Sequence, residues 1–76
     1  MALIVGFEKD SKRPRTHPTT VVCHWSVIGD RQATLLQLDT KGSPLRERPG
    51  KLSQTLQLDR DHARTLVNIL TREFDL

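Results

Sequence analysis

The hydrophobic residues of this chain follow two rhythms. From Val21 to Ile28 they alternate: Val21, Cys23, Trp25 and Val27 fall on one side of an extended backbone, and Val22, His24, Ser26 and Ile28 on the other. The first set is apolar throughout and is expected to meet a core. Residues 33–40 keep the period of two, with Thr34, Leu36, Leu38 and Thr40 set against Ala33, Leu35, Gln37 and Asp39. Gly29 and Asp30 between these runs suit a tight turn, which predicts an antiparallel hairpin. A third run sets Leu52, Gln54, Leu56 and Leu58 against Ser53, Thr55 and Gln57. Its second set is small and polar, as a water-facing sheet surface is. At the start of the chain, MALIVGF has β-branched residues at its centre and predicts a short first strand.

After Leu58 the period changes. Ala63, Leu66, Val67, Leu70 and Phe74 recur at helical spacing and form one apolar stripe, widened by Ile69. Asp59 or Asp61 supplies an N-cap and suits the positive end of the helix dipole. No proline or glycine interrupts residues 60–76. The helix is expected over 60–74, with Phe74 directed to the core. The expected fold is a single α+β domain spanning 1–76: a small antiparallel sheet of three to four strands with one C-terminal helix packed on one face.

Two segments do not join either rhythm. Residues 8–20 carry Pro14 and Pro18 and almost nothing apolar, and read as a basic loop or mobile arm. Residues 41–52 form a basic loop with Gly42, Pro44, Pro49 and Gly50. The net charge of +3 is concentrated in these two places. Lys9, Lys12, Arg13 and Arg15 outweigh Glu8 and Asp10 in the arm. Lys41, Arg46, Arg48 and Lys51 outweigh Glu47 in the loop. Two basic segments on a near-neutral scaffold form an electrostatic footprint for a polyanion; the simpler alternative is that they serve solubility.

At 76 residues the chain has little surface to bury, and domains of this size lean on a disulfide, a metal or a second subunit. Cys23 is the sole cysteine, which excludes an internal disulfide and suits a reducing compartment. His17, His24 and His62 show no paired metal-ligand spacing, so no metal or other cofactor is expected. A homodimer is therefore expected, with Ile69 and Leu76 beside the main helical stripe as its apolar surface. MALIVGF lacks the preceding basic residues and the cleavage site of a secretory signal, and no run approaches membrane-span length. The expected location is the cytoplasm.

Candidate chemistry is sparse. Cys23 and His24 are strand neighbours and point to opposite faces, so they do not pair, and Cys23 is expected to be a buried, inert thiol. His62 lies in the first helical turn and reads as a surface residue. Asp59 and Asp61 are explained by capping. Neither a dinucleotide fingerprint, a P-loop nor a nucleophile elbow is present. The chain is not expected to be an enzyme. Single-strand binders commonly stack bases on aromatic rings. Here the aromatics are Phe7, Trp25 and Phe74, and the last two fall on faces assigned to the core.

The run LLQLDTKG, a loop, then PGKLSQTLQLDRDHARTLVNIL resembles the C-terminal half of the positive-cofactor-four family of transcriptional coactivators. The resemblance covers residues 33–70. It implies a curved antiparallel sheet, a C-terminal helix, a dimer, and binding of single-stranded DNA across the sheet and its loops. On this chain it implies that Lys41, Arg46, Arg48 and Lys51 contact the nucleic-acid backbone and that Ser53, Thr55 and Gln57 line an open sheet face. The chain also looks like small bacterial proteins carrying S-Q-x-L-Q-L-D, a likeness that implies no function. Two readings follow. The first is a non-enzymatic binder of single-stranded DNA or RNA, using Lys9, Lys12, Arg13 and Arg15 as well as the loop and the polar face. The second is a protein-interaction module or accessory subunit of a larger DNA-acting complex.

Overall fold

The computed structural model describes residues 1–41 and 52–76, and the side chains of all of these except Leu52 and Ser53. Four strands and one helix follow in the order β1 (Ala2–Leu3), β2 (Cys23–Ile28), β3 (Leu35–Lys41), β4 (Leu52–Leu58) and α1 (Arg60–Phe74). The strands lie in the order β1-β4-β3-β2. The α+β class and the C-terminal helix are as the periodicities require. The sheet differs in one respect: it is mixed, because β1 runs parallel to β4 while the other pairs are antiparallel. MALIVGF contributes only two residues to this strand, after which Ile4 donates its amide to the Gln57 carbonyl at 2.9 Å.

The β2–β3 hairpin closes at Gly29–Thr34. Gly29 has φ +85°, which glycine adopts without steric cost. The Ala33 amide then donates to the Asp30 carbonyl at 3.1 Å, and the Thr34 hydroxyl donates to the same oxygen. This turn fixes the register. Trp25 stands opposite Leu38 and Leu38 opposite Leu56, while Val27, Leu36 and Leu58 form the next row. Residues opposite one another share a face, so the leucines of β3 and β4 and the apolar set of β2 make one apolar face. The other face carries His24–Asp39–Thr55 and Ser26–Gln37–Gln57.

Helix α1 is capped at both ends. Asp59 accepts from the His62 amide at 2.9 Å, and Asp75 takes a left-handed conformation, φ 55°, with its amide donating to the Thr71 carbonyl. The first turn lies at the end of the apolar face, where Ala63 shares a shallow cavity of about 300 Å³ with Thr34, Leu36 and Leu58. Further along, Ile69 lines a cavity with Phe7.

The core is much smaller than the sequence pattern suggests. Among the described residues Leu58 is the one buried hydrophobic side chain. Trp25 is 70% exposed and Val27 55%, against the expectation that their face is covered. Cys23 is exposed rather than buried. The helix turns Ala63, Leu66 and Ile69 inward, each half-buried, and leaves Val67, Leu70 and Phe74 open, Phe74 at 68%. The physical reason is positional. β2 is an edge strand, and the helix starts from the far end of β4, so its first turns shelter Leu36 and Leu58 rather than the β2 side.

Candidate nucleic-acid interface

The topology brings the C-terminal end of the arm and the strand ends that bound residues 42–51 to one end of the sheet, whereas Lys9, near the start of the arm, lines a cavity with Thr65, Ile69 and Arg72 of α1. β2 begins at Cys23, opposite Thr40 near the end of β3, and β4 begins at Leu52, opposite Lys41. The arm, which precedes β2, therefore ends beside the two strand ends that bound residues 42–51. Lys41 is exposed there. Lys9, Lys12, Arg13 and Arg15 are all exposed in a segment with no strand or helix, and Lys12 reaches Asp10 at 3.8 Å. Such an exposed pair contributes little stability and leaves Lys12 open to exchange partners. Arg46, Arg48 and Lys51 lie outside the described residues, as does the side chain of Ser53.

The polar face is more ordered, and more self-satisfied, than a bare ligand surface. Thr55 donates its hydroxyl to Asp39 Oδ1 at 2.6 Å, Gln37 Nε2 donates to Asp39 Oδ2 at 3.0 Å, and Gln57 Nε2 donates to Gln37 Oε1 at 2.9 Å. The hydrogen bonds from Gln37 and Thr55 hold the Asp39 carboxyl below the usual carboxylate range, with His24 and Lys41 adding a smaller attraction for its charge.

Thr55 thus departs from the expected role. It is 3% exposed, and its hydroxyl is spent on Asp39, because a small side chain at the centre of a sheet is overshadowed by its longer neighbours. Gln57 is half-buried and its amide is committed to Gln37. What the face still offers is its edge: His24 and Ser26 on β2 are exposed. The alternation of Ser53, Thr55 and Gln57 marked this face as polar, but the complementary residues on β3, which sit outside that run, could only be added once the register was known.

The remaining sequence candidates resolve locally. His62 is not a free surface residue: its Nδ1 lies 2.6 Å from Asp59 Oδ1. The His62 amide, and then its ring, hold the Asp59 carboxyl below the usual range. Cys23 Sγ has only a 4.0 Å contact to the His24 carbonyl. Among the described residues, no group of three or more His, Cys, Asp or Glu is placed to hold a metal ion, and no helix is long and apolar enough to cross a membrane.

Comparison of the chain with protein-family models, with curated proteins and with solved structures finds no match.

Proposed function

We propose that this chain is a non-enzymatic nucleic-acid-binding protein that prefers single-stranded DNA or RNA, and that it works in the reducing cytoplasm, where a lone exposed thiol such as Cys23 persists. One observation carries the reading: the end of the basic arm, Lys41 and both strand ends bounding the Arg46–Arg48–Lys51 segment meet at one end of the sheet. Lys41, Arg46, Arg48 and Lys51 lie within one short run of chain and give a polyphosphate several contacts at once, to which Lys12, Arg13 and Arg15 of the arm add. The exposed Trp25 ring adds a stacking platform that a buried tryptophan would not.

Fluorescence anisotropy of a labelled single-stranded oligonucleotide tests this. Affinity should fall as salt rises, with a log–log slope of about 0.7 for each phosphate contacted. Absence of binding at low salt removes the reading.

A second reading rests on how much apolar surface the chain leaves open, with Trp25, Val67 and Phe74 all more than half exposed. It makes the protein an interaction module or accessory subunit of a DNA-acting complex, its basic loop meeting an acidic protein surface. Co-purification of one stoichiometric protein that survives nuclease treatment favours this second reading.

A further inference from the structure

The arginines of helix α1 stand in one row. Arg60, Arg64 and Arg72 lie at i, i+4 and i+12, Asn68 occupies the remaining step, and all four are exposed. Each step of four residues advances about 6 Å along the helix and about 40° around it, so the row crosses the outer surface diagonally over about 18 Å. The half-buried His62, Ala63, Leu66 and Ile69 lie on the opposite side. The row therefore points away from the sheet.

Two cavities extend the row at its ends. At the start of α1, Arg31 from the hairpin turn lines a cavity with Arg60 and Ala63. At the other end, Lys9 from the arm lines a cavity with Thr65 and Arg72. Cations from three segments thus follow one line: Arg31, Arg60, Arg64, Arg72 and Lys9. Among the described residues, Arg31, Arg60, Arg64 and Lys9 make no ion pair, and Arg72 has only an exposed contact to Glu73 at 3.7 Å. An exposed pair of that kind is worth little and exchanges readily for another anion. Asp59 is turned to the His62 amide and ring. Asp61, Glu8 and Glu73 oppose the five cations, so the line keeps an excess of positive charge.

We propose that this arginine row, with Arg31 and Lys9 at its ends, is a second phosphate-binding track for nucleic acid. The proposal rests on the nucleic-acid reading above and adds a surface to it. α1 leaves the end of β4 remote from Lys41, so the track is separate from the basic loop. Its length suits a phosphate backbone: about 18 Å spans about five phosphates of one strand in a duplex, at about 3.4 Å each. Its chemistry suits one as well. Every basic residue of the row is an arginine, whose planar fork takes two phosphate oxygens at once. Asn68 and Thr71, exposed on the same side, add the amide and hydroxyl that commonly contact phosphate and sugar.

Fluorescence anisotropy of a labelled single strand, read across a salt series, tests the track. Arg60→Gln, Arg64→Gln and Arg72→Gln together should weaken binding at least tenfold at low salt and lower the salt slope by about 2, from about 0.7 for each of three phosphates. The same three positions changed to Lys keep their charge and should keep the slope. Asn68→Glu is the complementary variant. Its carboxylate stands four residues from both Arg64 and Arg72 and pairs with them, which stabilises a helix slightly. Binding should weaken at least threefold with no fall in the thermal midpoint, a combination that a merely structural role for the row does not produce. If wild type binds and both the Gln variant and Asn68→Glu match its affinity and slope, the track alone is overturned and the row is left to an acidic protein surface. Loss of slope in the Lys variant as large as in the Gln variant also overturns it, because charge would then not be what the row supplies. Absence of binding by wild type removes the nucleic-acid reading and the track together. If the Gln variant fails to fold, Asn68→Glu decides.

Discussion

Thr55 and Asp39 stand directly opposite one another on β4 and β3, and the threonine hydroxyl donates to the aspartate carboxylate at 2.6 Å. Thr55, a candidate ligand contact in the sequence, is thus partnered within the sheet by Asp39. Their pairing ties together the two central strands on the polar face, and Gln37 and Gln57 extend it into a continuous ladder.

Replacing Thr55 with Val keeps the shape and removes the donor. The Asp39 carboxyl should then titrate closer to its ordinary value, because one of the two hydrogen bonds that hold it down is gone. The sign follows from linkage. A carboxyl lowered on folding contributes stability above the ordinary carboxylate range and loses it as pH falls through the lowered value. Urea unfolding at pH 7 and pH 3 should therefore show a smaller acid-induced loss in Thr55→Val than in wild type, alongside a thermal midpoint a few degrees lower at pH 7. An unchanged Asp39 titration by NMR counts against the ladder.

Asp59 offers a parallel test at the helix start. Its carboxyl is lowered first by the His62 amide and then by the His62 ring, so acidification below about pH 4 should loosen the first turn. Asp59→Asn retains an acceptor for the amide and should keep most of the helix, whereas Asp59→Ala removes the cap and should lower the midpoint further. Circular dichroism during heating distinguishes the two. Equal effects would mean that the charge interaction, and not the cap, dominates.

Gly29 should resist substitution. At φ +85° a Cβ would lie 2.5 Å from the Ala33 carbonyl oxygen, a backbone atom that cannot swing away. Gly29→Ala should cost about 1–2 kcal/mol from the left-handed conformation alone, with the clash added. Chemical denaturation measures this. A neutral result would show that the turn relaxes to another geometry.

Charge neutralisation separates the two basic segments. Changing Lys41, Arg46, Arg48 and Lys51 to Gln should weaken oligonucleotide binding and flatten its salt dependence together, by about 0.7 of slope for each phosphate of a single strand that is no longer neutralised. The same change at Lys9, Lys12, Arg13 and Arg15 should do less, because that segment forms neither strand nor helix and ordering it on binding costs free energy, whereas Lys41 is already held in β3. Stability should stay within about 0.5 kcal/mol in both variants, as for most surface substitutions. Wild-type binding by the loop variant, with a sharply lower midpoint, would assign those charges to folding instead.

Local geometry was legible in the order of residues. The period of two between Cys23 and Ile28 and between Leu52 and Leu58, the Gly29–Asp30 turn and the Asp59-capped helix over 60–74 all appear where the pattern places them. These features arise from interactions a few residues apart, such as backbone sterics, turn chemistry and capping, and such interactions are written in the order of residues. Composition also marked which β4 side chains are polar. What each face meets depends instead on how the elements are arranged in space. Alternation made Trp25, Val27 and Cys23 an apolar set, yet an apolar set is buried only if something lies over it, and the edge position of β2 leaves them open. Helical spacing grouped Ala63 and Leu66 with Val67, Leu70 and Phe74, but the angle at which α1 leaves β4 splits that stripe into a half-buried flank and an exposed one. The parallel pairing of Ala2 and Leu3 with Leu56 and Gln57, and the meeting of Thr55 with Asp39, join residues far apart in the chain. Register between distant strands depends on how the whole sheet closes, and no short window of sequence contains it.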